Sequence, residues 1–551
     1  MNRPILTLDT EDDSKGRVQL LNLYDGKKHE TLYLPEAMRH YLRDLKPKGL
    51  IWAVNLEYDA INLFKDDFGE FPRQIWFGKS KLISFMYKGH LFYDTLNHWK
   101  ISVEEMTRIV GGTKEKLDVT DIRALTRRCR SDCEITHKFV SEMMKRYGML
   151  EAKVKSTLPS TSLELYKSEF SRLKFQGVET SDTDFIKESY CGGRTECFFI
   201  GTMFAPKDSP KRIFYVDINS MYPSVMLYDF PQPFVYDAAP DLDRLGVTEA
   251  TVKSDLPIPV LPLRREGKLI FPNGVFRGVW TNAELNYAVE CGVRVLKIHR
   301  GLSFPYTIKP FEDFVTTLYE KRKRSDDELM RQTFKLFMNS LYGKFGQGKE
   351  RKKVIPYEKY LENPDKFKAE SMKGAFLFDD KLLIYTEIAD EYPKNTIMIW
   401  ASYVTAYARI KLHRLIMSIQ AGGGIPLYCD TDSVMFYGAR ELVNDSKELG
   451  AFKIEHELDA VNIKLPKFYR AWRQDEIVIE RAKGVPRRVQ KEFFENNQAT
   501  FEKPNKLFES FRRGLAPNRW ERTTKKLRGV YTKGIVKADG FITPLTLKLD
   551  N

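Results

Sequence analysis

The sequence predicts a chain of several domains that mix α/β and α+β layers. Its 551 residues are too many for one hydrophobic core. With 42% hydrophobic and 13% aromatic residues, the chain can bury large cores and is not disordered. Short apolar runs that end in acidic residues alternate with segments of helical periodicity. This alternation favours sheets covered by helices in each domain.

The charge balance suits a polyanionic partner such as nucleic acid. Lys and Arg total 89 against 75 acidic residues, a net charge of +14, although solubility alone would account for the same surplus. No apolar run of membrane-spanning length occurs, and residues 1–4 lead into a strand-like segment without the apolar region of a signal peptide. We therefore expect a cytoplasmic location. The six cysteines suggest reduced thiols.

The front of the chain carries an acidic set at the ends of predicted strands. Residues 5–8 read as a strand that runs into Asp9 and Glu11, which can point the same way because the side-chain period of a strand is two. A second run, 50–54, leads to Asp59, and a helical segment contains Asp132. Four such carboxylates suit a two-metal site that hydrolyses phosphodiesters. Each acid alone would as readily be a cap or a surface charge.

A second acidic set centres on residues 427–436, where apolar residues flank Asp430 and Asp432. The pattern predicts two strands that meet at a tight turn with both carboxylates at its tip. Another predicted strand, 213–216, ends at Asp217. Paired carboxylates repel each other unless a cation lies between them, and Mg²⁺ is the natural occupant. A polar hairpin turn without a metal is the alternative for the isolated pair.

Three further patterns accompany the second set. Lys335, Asn339 and Tyr342 recur at helical spacing and can share one basic face, which could bind a triphosphate or remain solvated. A glycine pair at 192–193 permits close backbone approach. The tail from 512 to 533 interleaves basic and aromatic residues, which suits a grip on a duplex backbone or an exposed charged tail.

These motifs, in this order, resemble the family B DNA polymerases that carry a 3′–5′ exonuclease domain. The matching patterns are DxE, NxxxD and an Asp on a helix, then YxGG, DxxSMYPS, KxxxNSLYG, YCDTDS and KxY. The resemblance covers nearly the whole chain and is nearest to the viral, plasmid and organellar members close to the protein-primed branch. It implies an RNase H-like exonuclease domain followed by a right-hand polymerase with palm, fingers and thumb.

The resemblance also implies a role for each matching residue. Two exonuclease metals would be held by Asp9, Glu11, Asp59 and Asp132, and single-stranded DNA would be bound by Asn55, Thr95 and Leu96. The palm metals would be held by Asp217 and Asp432, with Asp430 as a third catalytic carboxylate. The incoming nucleotide would be bound by Tyr222, Arg322, Lys335, Asn339 and Tyr342, of which Tyr222 would exclude ribonucleotides. The DNA contacts would be Tyr190, Gly192 and Gly193 on the template and Lys467 and Tyr469 at the primer end.

The implied cofactor is Mg²⁺, two ions in each site, with Mn²⁺ as a substitute. The implied partners are a DNA template and primer, deoxynucleoside triphosphates and, if priming uses a protein, a terminal protein or other replication protein. The expected domains are an exonuclease (1–150), a connecting segment (151–195), palm (196–305 and 396–460), fingers (306–350), an insertion (351–395), and a KxY region with thumb (461–551).

One position departs from the family pattern. Arg128 stands where the family has a Tyr. It could pair with the scissile phosphate, or it could pair with Asp132 and so weaken that ligand.

Three alternatives to a DNA polymerase with an exonuclease stay open. They are a nuclease whose second half only binds DNA, a DNA-binding replication factor without catalysis, and an RNA-making or reverse-transcribing enzyme. A protein, an RNA end or no primer at all would leave the same motifs.

Overall fold

The structure is a computed structural model of the chain. It describes residues 3–13, 17–72, 74–78, 81–111, 121–176, 179–364, 367, 372–378, 380–504, 509, 513, 520–527 and 529–548. Arg512 and the Trp520 side chain of the predicted basic tail lie outside the described part. None of the helices in these ranges combines the length and the apolar character that crossing a membrane requires.

The amino-terminal part is a seven-stranded mixed sheet with helices packed against it. Its elements are β1 (Ile5–Asp12), β2 (Val18–Tyr24), β3 (His29–Leu32), α1 (Pro35–Asp44), β4 (Leu50–Ala53), α2 (Leu56–Phe64), β5 (Gln74–Phe77), β6 (Leu82–Tyr87), β7 (His90–Asp94), α3 (Val103–Val110) and α4 (Ile122–Met149). The strand order is β3-β2-β1-β4-β7-β6-β5, and the central β1, β4 and β7 are parallel. All four residues of β4 are buried, as expected for a parallel strand covered on both faces.

A helical segment connects this sheet to the next part of the chain. The elements here are α5 (Leu158–Leu165), a π-helical turn (Tyr166–Phe170), α6 (Thr180–Ser189), β8 (Thr195–Cys197), β9 (Gly201–Phe204), β10 (Arg212–Ile218), α7 (Met221–Val225), β11 (Phe230–Pro231), β12 (Leu245–Ser254), β13 (Leu263–Arg265), β14 (Lys268–Ile270), β15 (Asn273–Thr281), α8 (Asn282–Glu290), β16 (Arg294–Phe304) and β17 (Thr307–Ile308). Strands β16, β12 and β15 form an antiparallel sheet that packs on α8.

Two antiparallel helices, a small sheet and a long buried helix follow. They are α9 (Glu312–Arg324), α10 (Glu328–Ser340), β18 (Glu350–Pro356), α11 (Tyr357–Glu362), β19 (Met372–Phe378), β20 (Leu382–Ile388) and α12 (Met398–Ala421). The sheet β18-β20-β19 falls within the predicted insertion. Its Val354, Leu382 and Ile384 belong to the buried core of the amino-terminal sheet, so the insertion is packed on that first part of the chain.

The remaining elements complete the central sheet and return the chain to it. They are β21 (Ile425–Asp430), β22 (Ser433–Gly438), β23 (Phe452–Leu458), β24 (Ala460–Leu465), β25 (Phe468–Arg473), β26 (Glu476–Ala482), α13 (Gln490–Asn496), β27 (Gln498–Pro504), β28 (Trp520–Lys526), β29 (Gly534–Val536), β30 (Ile542–Pro544) and β31 (Thr546–Leu547). The central sheet is antiparallel, in the order β23-β10-β22-β21-β8, and α12 packs against it. The predicted domain boundaries themselves stay a prediction.

Candidate active sites

The central sheet brings Asp217 and Asp432 together at one end. Strands β21 and β22 form the predicted hairpin, and its turn passes through Thr431, which has a φ of 63°. Asp217 is the register partner of Ser433, and the Ile218 N–H donates to the Asp432 carbonyl at 2.7 Å. The end of β10 is thereby fastened to the hairpin tip, and both carboxylates lie at the same place.

The pKa shifts of Asp217 and Asp432 show that the two carboxylates lie close together. Burial and the charge of Asp432 raise the pKa of Asp217 to about 7. Burial also raises the pKa of Asp432, with a further contribution from Asp430. The ammonium of Lys335, on α10, lowers the pKa of both Asp217 and Asp432. The basic helix face predicted from the sequence is therefore turned toward the carboxylates of the central sheet.

Asp430 differs from its neighbours because the protein itself supplies its partners. Lys467 Nζ lies 2.8 Å from each of its carboxylate oxygens, and Thr195 Oγ1 donates to Oδ1 at 2.9 Å. The Tyr428 hydroxyl donates to Oδ2 at 3.2 Å. Lys467 and Asp430 are thus joined as an ion pair, whereas Tyr469 is only 4% exposed and packs on the Tyr428 ring.

The predicted glycine loop lies directly against the hairpin turn. A Cβ at Gly193 would stand 2.7 Å from the Thr431 side chain, so the close approach requires glycine. The Thr431 N–H donates to the Arg194 carbonyl at 2.7 Å. Around Gly192, by contrast, there is open space, and the Tyr190 ring is half-buried.

The same glycine loop is also fixed by a buried ion pair that was not predicted from the sequence. Arg409 on α12 donates to the carbonyls of Cys191 and Gly192 at 2.6 and 2.9 Å. Its guanidinium also makes a bidentate pair with Glu284 at 2.7 and 2.8 Å, and both side chains are almost fully buried. The available signal was an arginine between Ala408 and Ile410 in a mostly apolar helix, since a charged residue buried there requires a partner.

Some of the predicted nucleotide-binding residues lie near one another and near Asp217 and Asp432. The rings of Tyr222 and Tyr342 lie 4.4 Å apart between centroids at an interplanar angle of 35°. Asn339 turns its amide back to the Lys335 carbonyl at 2.7 Å. Arg322 is half-buried in the last turn of α9, and Lys335 is exposed on α10. The structure therefore gathers Tyr222, Tyr342 and Lys335 and leaves Arg322 on the neighbouring helix.

The front acidic set also converges, around the carboxyl-terminal half of β1 in the amino-terminal sheet. Asp9 and Glu11 lie on β1, Asp59 on α2 and Asp132 on α4. Burial raises the pKa of Asp9 well above its usual value, with further contributions from Glu11 and Asp132. Burial and Asp9 do the same for Asp59. Carboxylates that raise one another's pKa in this way share one site.

The oxygen atoms of this site are only partly used by the protein. Thr10 Oγ1 donates to Asp59 Oδ1 at 2.8 Å. Asp59 Oδ2 and Asp9 Oδ2 are buried and have no hydrogen-bond partner among the residues that the structure describes. Within the same residues, no three acidic, His or Cys side chains form a ready-made ligand cluster. A cation bound here would be stabilised by the buried carboxylates and by those of their oxygen atoms that accept no hydrogen bond from the described residues.

Arg128 makes a different contact from either of the two expected from the sequence. Its Nε lies 3.5 Å from Glu11 Oε1, and the Arg128 side chain is 32% exposed. Its charge also lowers the pKa of Asp9. The cation therefore stands inside the acidic site against Glu11, and the pairing with Asp132 is not the contact that the structure shows.

Asp94, which carried no predicted role, organises the neighbouring loop. Its Oδ1 accepts the backbone N–H of Asn55 at 3.1 Å and that of Leu96 at 2.9 Å, and its Oδ2 pairs with Lys81 at 2.7 Å. Asn55 has a φ of 66° at the start of α2. Thr95 is buried and donates to a backbone carbonyl, so Asn55 and Leu96 are better exposed to a strand than Thr95 is.

Comparisons with known proteins agree with this geometry. The family described as DNA polymerase type B, organellar and viral, matches residues 104–417. A DNA-directed DNA polymerase of Enterobacteria phage PRD1 is 27% identical over 375 residues, which span 65% of this chain and 62% of the phage protein. A probable DNA polymerase of Agaricus bitorquis is 27% identical over 358 residues, 57% of this chain and 44% of the fungal protein. The chain thus spans less than two thirds of these relatives.

Among solved structures, phi29 DNA polymerase in complex with primer-template DNA and incoming nucleotides is similar in fold. The match has a TM-score of 0.71 at 18% identity and covers 96% of this chain and 100% of the phi29 chain. At 18% identity, this match supports a similarity in fold and nothing further. It confirms the fold class predicted from the sequence.

The raised pKa of Asp217 leads to a pH-dependent prediction. Because its folded pKa of about 7 lies above the ordinary value of 3.8, the folded chain holds a proton that the unfolded chain releases between these pH values. The free energy of unfolding should therefore fall as pH rises from about 4 to about 7. Asp217→Asn should remove this part of the fall and stabilise the chain above pH 7 by about 1 kcal/mol or more, after allowance for solvent screening.

The measurement is Tm for parent and variant in a chelating buffer at pH 5 and pH 8. The gain in Tm from the substitution should be larger at pH 8. Asp208→Asn, at an exposed aspartate, controls for the loss of one negative charge. An equal gain at both pH values would contradict the assigned cause.

Proposed function

The chain belongs to the organellar and viral type B DNA polymerases, and on that premise we propose that it adds deoxynucleotides to a DNA primer as a template directs. The observation that carries the proposal is the meeting of Asp217 and Asp432 under the ammonium of Lys335. Two carboxylates beside a cation provide opposite charges for a divalent ion and a triphosphate in one place.

The palm residues fit a divalent cation on their own chemistry. Asp217 and Asp432 are largely buried carboxylates whose repulsion raises the pKa of Asp217, and a hard cation between them would relieve that repulsion. We propose that these two residues hold Mg²⁺, as the family resemblance implies. Bound there, the ions would acidify the primer 3′-hydroxyl and neutralise the charge of the leaving pyrophosphate.

The surrounding side chains would orient the substrates. Lys335 faces the palm carboxylates, and with Arg322 on α9 it would bind the triphosphate. The Tyr222 ring, fixed by its contact with Tyr342, would lie beneath the sugar and exclude a 2′-hydroxyl. Lys467 is held by Asp430 within the same site, where its one remaining side-chain N–H can contact the primer terminus.

A second activity, 3′–5′ hydrolysis of DNA, is favoured by the acidic site at the front of the chain. Asp9 and Asp59 keep buried oxygen atoms without a partner among the described residues, and these atoms fit a hard cation. Asp9, Glu11, Asp59 and Asp132 would hold it, while Asn55 and Leu96 would bind the single strand. Hydrolysis would then remove mismatched primer ends.

The priming mode is a further part of the proposal. The resemblance to the protein-primed branch suggests that a protein hydroxyl can start synthesis, with a terminal protein as partner. Supplying template, Mg²⁺ and deoxynucleotides with and without an oligonucleotide primer tests this point. Product formed only with the oligonucleotide would argue against protein priming by this chain alone.

The central prediction is that Asp432→Asn abolishes nucleotide addition and leaves 3′–5′ degradation of single strands intact. The reason is that the two acidic sets lie in separate sheets and only the palm set faces Lys335. The measurement is extension of a labelled primer–template and degradation of a labelled single strand in Mg²⁺. Extension within about tenfold of the parent, or 1.4 kcal/mol in the barrier, would show that Asp432 is not a ligand. Absence of extension by the parent itself would favour the DNA-binding alternatives over a polymerase.

The reciprocal variant combines Asp9→Ala with Glu11→Ala. We expect degradation to vanish and extension to persist, with more mismatched ends extended, because only the front site loses its ligands. The same two assays measure both activities, so each variant serves as the control for the other. Hydrolysis that survives in a contaminant-free preparation would overturn the exonuclease assignment.

Arg128→Tyr should raise the rate of 3′–5′ excision and leave primer extension unchanged. Arg128 offers only N–H donors and contacts Glu11, so its removal frees a ligand, while a Tyr hydroxyl can position water. An increase of about tenfold or more is expected, since general acid–base contributions are typically about 10²–10⁴-fold. The measurement is single-turnover degradation of a labelled oligonucleotide, with Arg127→Tyr on the same helix as control. Slower excision would mean that Arg128 assists the reaction.

A further inference from the structure

A cleft with a volume of 610 Å³ lies where the loop after β7, the start of α5 and the end of α10 meet. One wall comes from the loop after β7 and includes Leu96 and Lys100. The opposite wall comes from α10 and the turn after it, and includes Leu336 and Asn339. The cleft therefore borders a proposed strand-binding residue on one side and a proposed nucleotide-binding residue on the other.

Lys344 lines this cleft and lacks an anionic partner in the described part of the chain. Its Nζ donates to Ser160 Oγ at 3.2 Å, and no carboxylate forms an ion pair with it there. Burial lowers the pKa of Lys344, with no neighbouring charge to oppose the effect. A half-buried ammonium with a single hydroxyl partner is stabilised by any anion that enters.

The first turn of α5 adds positive potential at the same place. Thr157 caps this helix, accepting the Ser160 N–H at 3.3 Å, and the first turn contains no acidic residue. Backbone N–H groups gather at a helix N-terminus and favour negative charge. Lys344 is joined to this turn through Ser160. Its ammonium is the main positive charge here, and the helix end adds a weaker positive potential because Pro159 has no N–H and the Ser160 N–H is already bonded to Thr157.

The remaining lining suits a nucleotide rather than a bare anion. Leu158, Pro159 and Leu336 provide apolar surface beside Lys344, and the cleft is large enough for a sugar and a base. Asn339 and Gln347 add amides that can reach polar base edges. A nucleotide of single-stranded DNA offers both groups that this cleft could bind. Its phosphate can bind at one end, and its base or sugar can pack on the apolar surface at the other.

We propose that this cleft is a subsite for one nucleotide of single-stranded DNA, with its phosphate on Lys344 and its base or sugar against Leu158 and Leu336. This inference rests on the proposed function, because it takes DNA as the substrate. A free nucleotide carries the same chemical groups, and an experiment with 5′-dAMP distinguishes it from a DNA strand. The position between Leu96 and Asn339 favours a strand, which can extend past both walls.

The test compares Lys344→Met with the parent by fluorescence anisotropy of a labelled single-stranded oligonucleotide in chelator, where neither chemistry consumes the probe. The loss of one phosphate contact should reduce the slope of log K against log salt by about 0.7 and weaken binding about fourfold at 0.15 M salt. Lys344→Arg keeps the charge and should retain most of the affinity. Blunt duplex binding should not change.

Lys349→Met is the matched control, because Lys349 already pairs with Asp184 at 2.9 Å and its loss should leave the slope unchanged. An unchanged slope in Lys344→Met, or an equal loss with blunt duplex, would overturn the proposal, as would unfolding of both Lys344 variants at the assay temperature. Binding of millimolar 5′-dAMP to the parent that does not displace the oligonucleotide, and that is lost in Lys344→Met, would assign the cleft to a free nucleotide instead. If the parent binds no strand and extends no primer, the proposed function itself fails.

Discussion

The close contact between Gly193 and Thr431 is the constraint on which the palm site depends. The Thr431 backbone donates to Arg194, and a side chain at position 193 would collide with Thr431. The hairpin tip therefore holds its place only while the glycine loop stays against it. Arg409 fixes that loop by donating to two of its carbonyls from α12. The placement of Asp217 and Asp432 is thus set by residues far away in the sequence.

Both acidic sites follow the same electrostatic logic but balance their charge differently. At the central sheet, Lys467 pairs with Asp430, and the ammonium of Lys335 lowers the pKa of both Asp217 and Asp432. At the front site, Arg128 lies near Glu11 and lowers the pKa of Asp9. The two sites therefore differ in which carboxylate a protein cation contacts, Asp430 at the hairpin in one and Glu11 on β1 in the other.

Local spacing predicted the features that depend on neighbouring residues. The hairpin around Asp430 and Asp432, the helix face of Lys335 and the strand that carries Asp9 and Glu11 are all where the sequence placed them. These features repeat every two or every three to four residues, and a short window is enough to recognise them.

Other contacts are invisible in such a window because they join distant segments. The Glu284–Arg409 pair, the placement of Arg128 against Glu11 and the packing of Ile384 into the amino-terminal core each require the tertiary fold. Asp94 illustrates a third case, since its position at a strand end was visible but its two N–H donors were not.

The helix that carries Lys335 is itself anchored on the amino-terminal part of the chain. Arg146 on α4 pairs with Asp327 at the start of α10 at 2.7 Å, and the rings of Tyr147 and Phe337 lie 5.1 Å apart in a T-shaped contact. The exposed ion pair contributes little by itself, whereas the buried aromatic contact fixes how the two helices pack. Because Lys335 lies two residues before Phe337, any shift of α10 toward a triphosphate must also move against α4. The position of Lys335 and the packing of α10 on the amino-terminal part of the chain are therefore mechanically linked through this one helix.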